Sequence, residues 1–218
     1  MSLPLYRLLN DMPVGQVPDL SFENSEPDSA LPFMSFYRRK LPHWQPDGKP
    51  IFVTWRLHGS LPRAKVPNSL TEGQRFLVLD RQLDIATSGP MFLKEPEVAA
   101  AVQETLFVAS NKWELFDLFA WVVMSNHVHV LLQPHKPLQE VTRAVKNTSA
   151  RQANAILGRF GHPFWQAESF DHWVRNGKQF DRIVRYIEEN PVKAGLVERP
   201  EMWRWSSAGQ VGDLPYSQ

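Results

Sequence analysis

The stretch Trp113-Glu-Leu-Phe-Asp-Leu-Phe-Ala-Trp-Val-Val-Met-Ser-Asn-His-Val-His-Val-Leu-Leu-Gln133 decides how the whole chain is read. Aromatic and β-branched residues fill Trp113 to Met124, a short polar Ser125-Asn126 follows, and His127 to Leu132 continues until Gln133-Pro134 closes the run. Two such runs around a short polar turn predict a β-hairpin. In the second strand, residues i and i+2 share a face, so His127 and His129 point together while Val128 and Val130 face the core. Two imidazoles fixed side by side are half of a metal site, to be completed by a group from another element. A pair of surface or hydrogen-bonded histidines is the plain alternative.

Working outward, Ile51 to His58 alternates, with Ile51, Val53, Trp55 and Leu57 on one face and Thr54, Arg56 and His58 on the other. It predicts a strand with a basic, polar second face. Helical spacing of apolar residues marks Ser69 to Ala86 and Glu95 to Asn111, the second of these an elaboration. Downstream, Leu138 to Leu157 is an amphipathic helix, Pro163 to Val174 holds a further strand, and Gln179 to Glu189 is a short helix stopped by Pro191. The order predicts an α+β fold of ferredoxin-like (RRM-like) type: an antiparallel sheet with helices on one face, plus a C-terminal tyrosine-bearing helix. Residues 1–32 read as an acidic, proline-rich extension, disordered or draped over the domain, 33–197 as the main domain and 198–218 as a tail.

Composition narrows the chemistry. Of 218 residues none is Cys, which removes disulfides, a thiolate nucleophile and Cys-ligated zinc. No run approaches the ~18 uncharged apolar residues of a membrane span, and the start lacks a signal-peptide pattern, so a soluble, cytoplasmic protein is expected. The formal charge of +1 hides an uneven distribution: residues 1–30 carry five acidic residues against Arg7, and 33–66 carry seven basic residues against Asp47. Basic clusters of this kind suit a phosphate-rich partner, though ordinary solvated faces give the same count.

Near the C-terminus, Phe180-Asp-Arg-Ile-Val-Arg-Tyr-Ile-Glu-Glu-Asn190-Pro191 places Tyr186 and Asn190 one helical turn apart, with Arg182 a turn earlier. The other tyrosines are Tyr6 in the extension, Tyr37 at the domain edge and Tyr216 in the tail, so a tyrosine nucleophile would be Tyr186. The same spacing fits a packing tyrosine with Asn190 ending the helix.

Taken together, these motifs resemble the single-tyrosine HUH transposases, and within them the REP-associated tyrosine transposases. The resemblance rests on Phe52 to Gly59, on Val123 to Leu132 as the HUH motif, on Phe164-Trp-Gln-Ala-Glu-Ser-Phe-Asp171, on Tyr186 to Val197, and on Trp203-Arg-Trp-Ser-Ser-Ala208. Two positions depart from the common pattern: Ser125 stands where many relatives have Pro, and Phe52 where they often have His. The resemblance implies that His127, His129 and Asn190 hold a divalent ion, Mg²⁺ or Mn²⁺, and that Tyr186 attacks the scissile phosphate of single-stranded DNA flanking a hairpin, of the repetitive extragenic palindrome type. Attack would leave a 5′-phosphotyrosine and a free 3′-hydroxyl. Phosphate contacts are expected from Arg56, Lys146, Arg151, Arg182, Arg185 and Lys193, and base stacking from Trp165 and Trp173. Trp203 and Trp205 are available to pin the tail, which favours a monomer, although insertion-sequence relatives work as dimers.

Two other functions fit the motifs. A domesticated relative would bind hairpins without cutting them, but the chain has no RNP-like aromatic strand of RNA binders. A metal hydrolase would use the histidine pair with water; against it stands the absence of an Asp or Glu at ligand spacing, which leaves Glu168 and Asp171 as the acids for the fold to bring in.

Overall fold

The computed structural model describes residues 34–38, 42–46, 48–61, 70–86 and 88–209, so residues 1–32 and the end of the tail lie outside it. Strands β1 (Met34–Arg38) and β2 (Pro42–Pro46) form an antiparallel pair of their own. The main sheet comprises β3 (Ile51–Arg56), β4 (Phe116–Val123), β5 (His127–Pro134) and β6 (Phe170–Trp173), in the order β4-β5-β3-β6, with every pair antiparallel. Four helices complete it: α1 (Glu72–Asp84), α2 (Pro96–Asn111), α3 (Leu138–Ile156) and α4 (Gly177–Lys193). Leaving out α1, the sequence β3-α2-β4-β5-α3-β6 with that strand order is the expected ferredoxin-like arrangement.

Side-chain alternation assigns the two faces of the sheet. Ile51, Val53, Trp55, Val128, Val130 and Leu132 pack with Val98, Val102 and Leu106 of α2 and with Leu138, Val141 and Val145 of α3 in one continuous core. These are the helices expected on one face. On the other face Phe52, Leu131, Ala120 and Val122 meet Phe76 of α1 and Ile183, Tyr186 and Ile187 of α4. The tyrosine-bearing helix is therefore joined there by α1, and the second face of β3 is closed rather than open. The elaboration is α1; α2, predicted for that role, is a helix of the frame. Loss of strict alternation in β4 has a local cause: the register against β5 shifts between Leu118 and Ala120. The extra residue lets Phe116 and Leu118 share a face with Trp121 and Val123.

Local chemistry fixes the helix starts. Thr71 and Gln74 form a reciprocal capping box on α1, and the Asn176 side chain accepts from the Gln179 amide at the start of α4. Pro191 does not stop α4, which runs on to Lys193. Proline there forfeits one backbone bond in the final turn, while the Ala194 amide still donates to the Asn190 carbonyl at 2.9 Å. The described part of the tail is pinned as its tryptophans suggested: the Val123 amide donates to the Trp205 carbonyl, and the Trp203 indole donates to the Val123 carbonyl. No described helix is long and apolar enough to cross a membrane.

Candidate metal and tyrosine site

The turn between β4 and β5 builds the first part of the site. The Met124 amide donates to the His127 carbonyl at 2.9 Å, and Asn126 spends its side chain on both neighbours. Its Nδ2 donates to the Leu83 carbonyl at the end of α1, which leaves Oδ1 to accept from His127 Nδ1 at 2.7 Å. The His127 proton is thereby on Nδ1 and the Nε2 lone pair is free. On β3, Thr54 lies opposite His129, with its hydroxyl 2.7 Å from Nδ1, a contact that orients the ring. The two Nε2 atoms face each other at 3.0 Å.

Both rings are fully buried, and burial holds each at a pKa of about 3, so both are neutral at pH 7. With a proton on His129 Nε2 that ring donates to the free His127 Nε2, and a divalent cation between the two nitrogens would take the place of that proton. Phe52 stacks on the His129 ring, with centroids 5.6 Å apart, and meets Tyr186 edge-on. The position that departs from the common pattern is thus an apolar wall of the site.

From α4, Asn190 brings Nδ2 to 3.3 Å from His129 Nε2, while its Oδ1 is buried with no hydrogen-bond partner. Tyr186, a turn earlier, donates its hydroxyl to Asp80. Asp80 comes from α1; its other oxygen lies 3.3 Å from His129 Nε2 and 3.7 Å from His127 Nε2, again without a hydrogen-bond donor. Asp84, one turn on, places an oxygen 3.7 Å from His127 Nε2. Burial and the neighbouring Asp80 push Asp84 up to about 8; burial also raises Asp80. Tyr186 is held well above its usual value of 10, by burial first and then by the charges of Asp80 and Asp84.

Asp80, His127 and His129 thus converge within metal-ligand reach of one another. Orphaned oxygens on Asp80 and Asn190 and the two facing imidazole Nε2 atoms are the donor set a divalent cation would complete. Sequence reasoning missed Asp80 and Asp84, having found no acid at ligand spacing. The available signal was a carboxylate on an apolar helix face, since Phe76, Asp80 and Leu83 are the buried side of α1.

Other expected site residues fall elsewhere. Trp165 is a core residue: it is buried, packs edge-on to Trp55 and donates its indole N–H to Ser149 at 3.0 Å, so it offers no face to a base. Trp173 is half-buried on β6 with the Arg175 guanidinium over its ring. Lys146 donates to the Gln166 and Ala167 carbonyls and to Ser169, stapling a loop on the opposite face of the sheet from the histidines. Arg182, expected in line with Tyr186 and Asn190, is exposed, as are Arg185 on the same helix and Arg151 on α3 across the sheet. Arg56 is half-buried with Nη1 3.4 Å from the Ser60 hydroxyl. Lys193 sits with its ammonium 5.1 Å over the Tyr186 ring and pairs with Glu189.

A strand-borne His-x-His thus meets a helix-borne tyrosine and amide on a ferredoxin-like sheet, the combination on which the resemblance to HUH transposases was drawn. Residues 91–190 match the family model described as "Transposase IS200 like". Among curated proteins the chain resembles the REP-associated tyrosine transposase of Escherichia coli (strain K12), at 30% identity over 42% of this chain and 54% of the relative. It also resembles the putative REP-associated tyrosine transposase of Haemophilus influenzae, at 28% identity over 42% of this chain and 58% of the relative. The match spans little more than half the length of these relatives. The fold is shared with a solved structure of a REP-associated tyrosine transposase bound to a REP hairpin, with a TM-score of 0.52 and 20% identity over 81% of this chain and 84% of that one. The resemblance drawn from the motifs therefore holds, and α1 lies outside the family-model match.

Proposed function

We propose that this chain is a metal-dependent, transposase-like endonuclease and strand transferase for single-stranded DNA flanking a hairpin, with Tyr186 as nucleophile. The observation that carries this reading is the meeting of the Tyr186 hydroxyl, two imidazole Nε2 atoms, Asp80 and the Asn190 amide in one buried pocket of a single chain. The named relatives and the hairpin-bound structure point to the same substrate class.

His127, His129 and Asn190 would hold the ion, joined by Asp80 in the DNA-free protein. Mg²⁺ or Mn²⁺ suits the oxygens, and Mn²⁺ also accepts the imidazoles. When bound, such an ion supplies positive charge beside the scissile phosphoryl oxygens. Tyr186 then forms a bond from its phenol oxygen to phosphorus while the bond from phosphorus to the 3′-oxygen breaks. The phenol loses its proton, the departing 3′-oxygen gains one, and the 5′-phosphate stays on the protein. One phosphodiester replaces another, so rejoining needs no nucleotide triphosphate.

The exposed Arg151, Arg182 and Arg185, the half-buried Arg56 and the partly exposed Lys193 are the phosphate contacts this reading assigns. Lys193 is next to the nucleophile and Arg151 is on the far helix layer. One chain supplies every site residue, which supports Tyr186 acting in cis in a monomer. A chromosomal DNA substrate puts the protein in the cytoplasm. The test is incubation with a hairpin oligonucleotide bearing a single-stranded flank and Mg²⁺ or Mn²⁺. A protein–DNA adduct stable to denaturation is expected, and Tyr186→Phe should abolish it. Tight binding with no adduct under either ion would instead make this a hairpin-binding protein, and a free 5′-phosphate with unmodified protein a hydrolase.

A further inference from the structure

The site is closed as it stands. His127 and His129 have no exposed surface, Asn190 is 1% exposed and Tyr186 8%. β3 and β5 form its floor and α4 one wall, and the cover is α1, a helix outside the ferredoxin-like frame. Three kinds of contact hold α1 down. Phe76 stacks on Phe170 with centroids 4.0 Å apart, the Leu83 carbonyl accepts from Asn126 at 2.9 Å, and Asp80 reaches into the site.

The two oxygens of Asp80 have different partners. One accepts the Tyr186 hydroxyl, and the other lies 3.3 Å and 3.7 Å from the Nε2 atoms of His129 and His127. A scissile phosphodiester in the proposed reaction needs the same two positions, with an oxygen toward the ion and the phosphorus against the tyrosine oxygen. Asp80 fills both. Asp84, with an oxygen 3.7 Å from His127 Nε2, adds a second carboxyl group from α1, so this helix occupies the space around both Nε2 atoms that a phosphate would need.

We propose that Asp80 stands in for the scissile phosphate in the resting protein, and that α1 is a lid the DNA strand must displace. The proposal rests on the transposase-like reading given above. Lid opening removes Asp80 and Asp84 together, since both ride on α1, and a phosphate oxygen takes the place of the Asp80 carboxylate. His127, His129 and Asn190 stay as the ligands common to both states. Apparent affinity for DNA is then reduced by the fraction of molecules that are open.

The absence of cysteine from the chain gives a clean probe. Leu83→Cys puts a single thiol on the buried face of α1, and its rate of maleimide labelling reports on the lid. In Mn²⁺, adding the hairpin oligonucleotide with a single-stranded flank should speed labelling by at least about tenfold, as an opened population requires. A complex or adduct that forms while the thiol stays as protected as in the free protein overturns the lid and leaves the proposed function standing. No complex at any salt concentration removes both. As a second measurement, Asp80→Ala at saturating Mn²⁺ should bind the oligonucleotide about tenfold more tightly, because the closed state no longer competes. Weaker binding by Asp80→Ala overturns the stand-in role.

Discussion

The two faces of the sheet are made by alternate residues of the same strands, yet they have opposite chemistry. Val128, Val130 and Leu132 of β5 enter a dry core under α2 and α3, whereas His127 and His129 enter a pocket of ligands under α1 and α4. The apolar face needs chiefly shape and area, and its orphaned polar atoms include the Trp55 and Trp121 indole N–H groups rather than any carboxylate. The polar face leaves buried oxygens of Asp80, Asp84 and Asn190 without donors, a cost that a folded chain sustains when a cation completes the set. Both faces carry apolar packing, Phe52, Leu131 and Ile183 among it on the histidine side, but the ligands lie on one face alone, with a single strand serving both.

Substitutions on the two sides should separate these roles. The largest effect belongs to His129→Ala, which removes a ligand and should weaken Mn²⁺ binding by at least about 100-fold in calorimetric titration. Unchanged affinity would dissolve the distinction between the faces. On the opposite side, Leu132→Ala should cost roughly 2–4 kcal/mol in denaturant unfolding, as a cavity in a packed core does. The folded molecules should bind Mn²⁺ as before; a parallel loss of ion affinity would show that the faces are not independent. A smaller effect is expected from Thr54→Val, which keeps shape but removes the hydroxyl that orients His129, with ion affinity falling about tenfold. If affinity is unmoved, the contact with Thr54 does not orient the ring.

The smallest effect is one of pH on the metal-free protein. His127 and His129 are held at about 3 against an ordinary 6.5, so the stability of keeping them neutral is present above 6.5 and lost as pH falls toward 3. Asp84 has the opposite sign: raised from 3.8 to about 8, it contributes stability that is full below 3.8 and lost as pH rises through 8. Between 6.5 and 8 the histidines no longer change, so the metal-free melting temperature should fall as pH rises. Asp84→Asn should flatten that slope. A slope unchanged in the variant would remove Asp84 as its source.

Much of this was legible from the sequence because the hairpin is local. Aromatic and β-branched runs around Ser125-Asn126 fixed β4 and β5, and a period of two put both histidines on one face. Tyr186 and Asn190 were legible through helical spacing. Asp80 was not, because its role depends on where a helix outside the frame comes to rest, and no local pattern encodes that. Proline misled at Pro191, where the loss of one bond in a last turn is tolerated and α4 continues. Trp165 shows that aromatic type alone does not distinguish a base-stacking surface from a core, since only burial and the bond to Ser149 settle it.

The central claim is that one ion is held jointly by the paired histidines of β5 and by oxygens from α1 and α4. Electron paramagnetic resonance of bound Mn²⁺ tests it most directly, through the nitrogen couplings of coordinated imidazoles. Two nitrogen ligands are predicted in the unmodified protein, with one lost in His127→Ala and one in His129→Ala. Mn²⁺ that binds with the same nitrogen couplings in both variants would contradict the account.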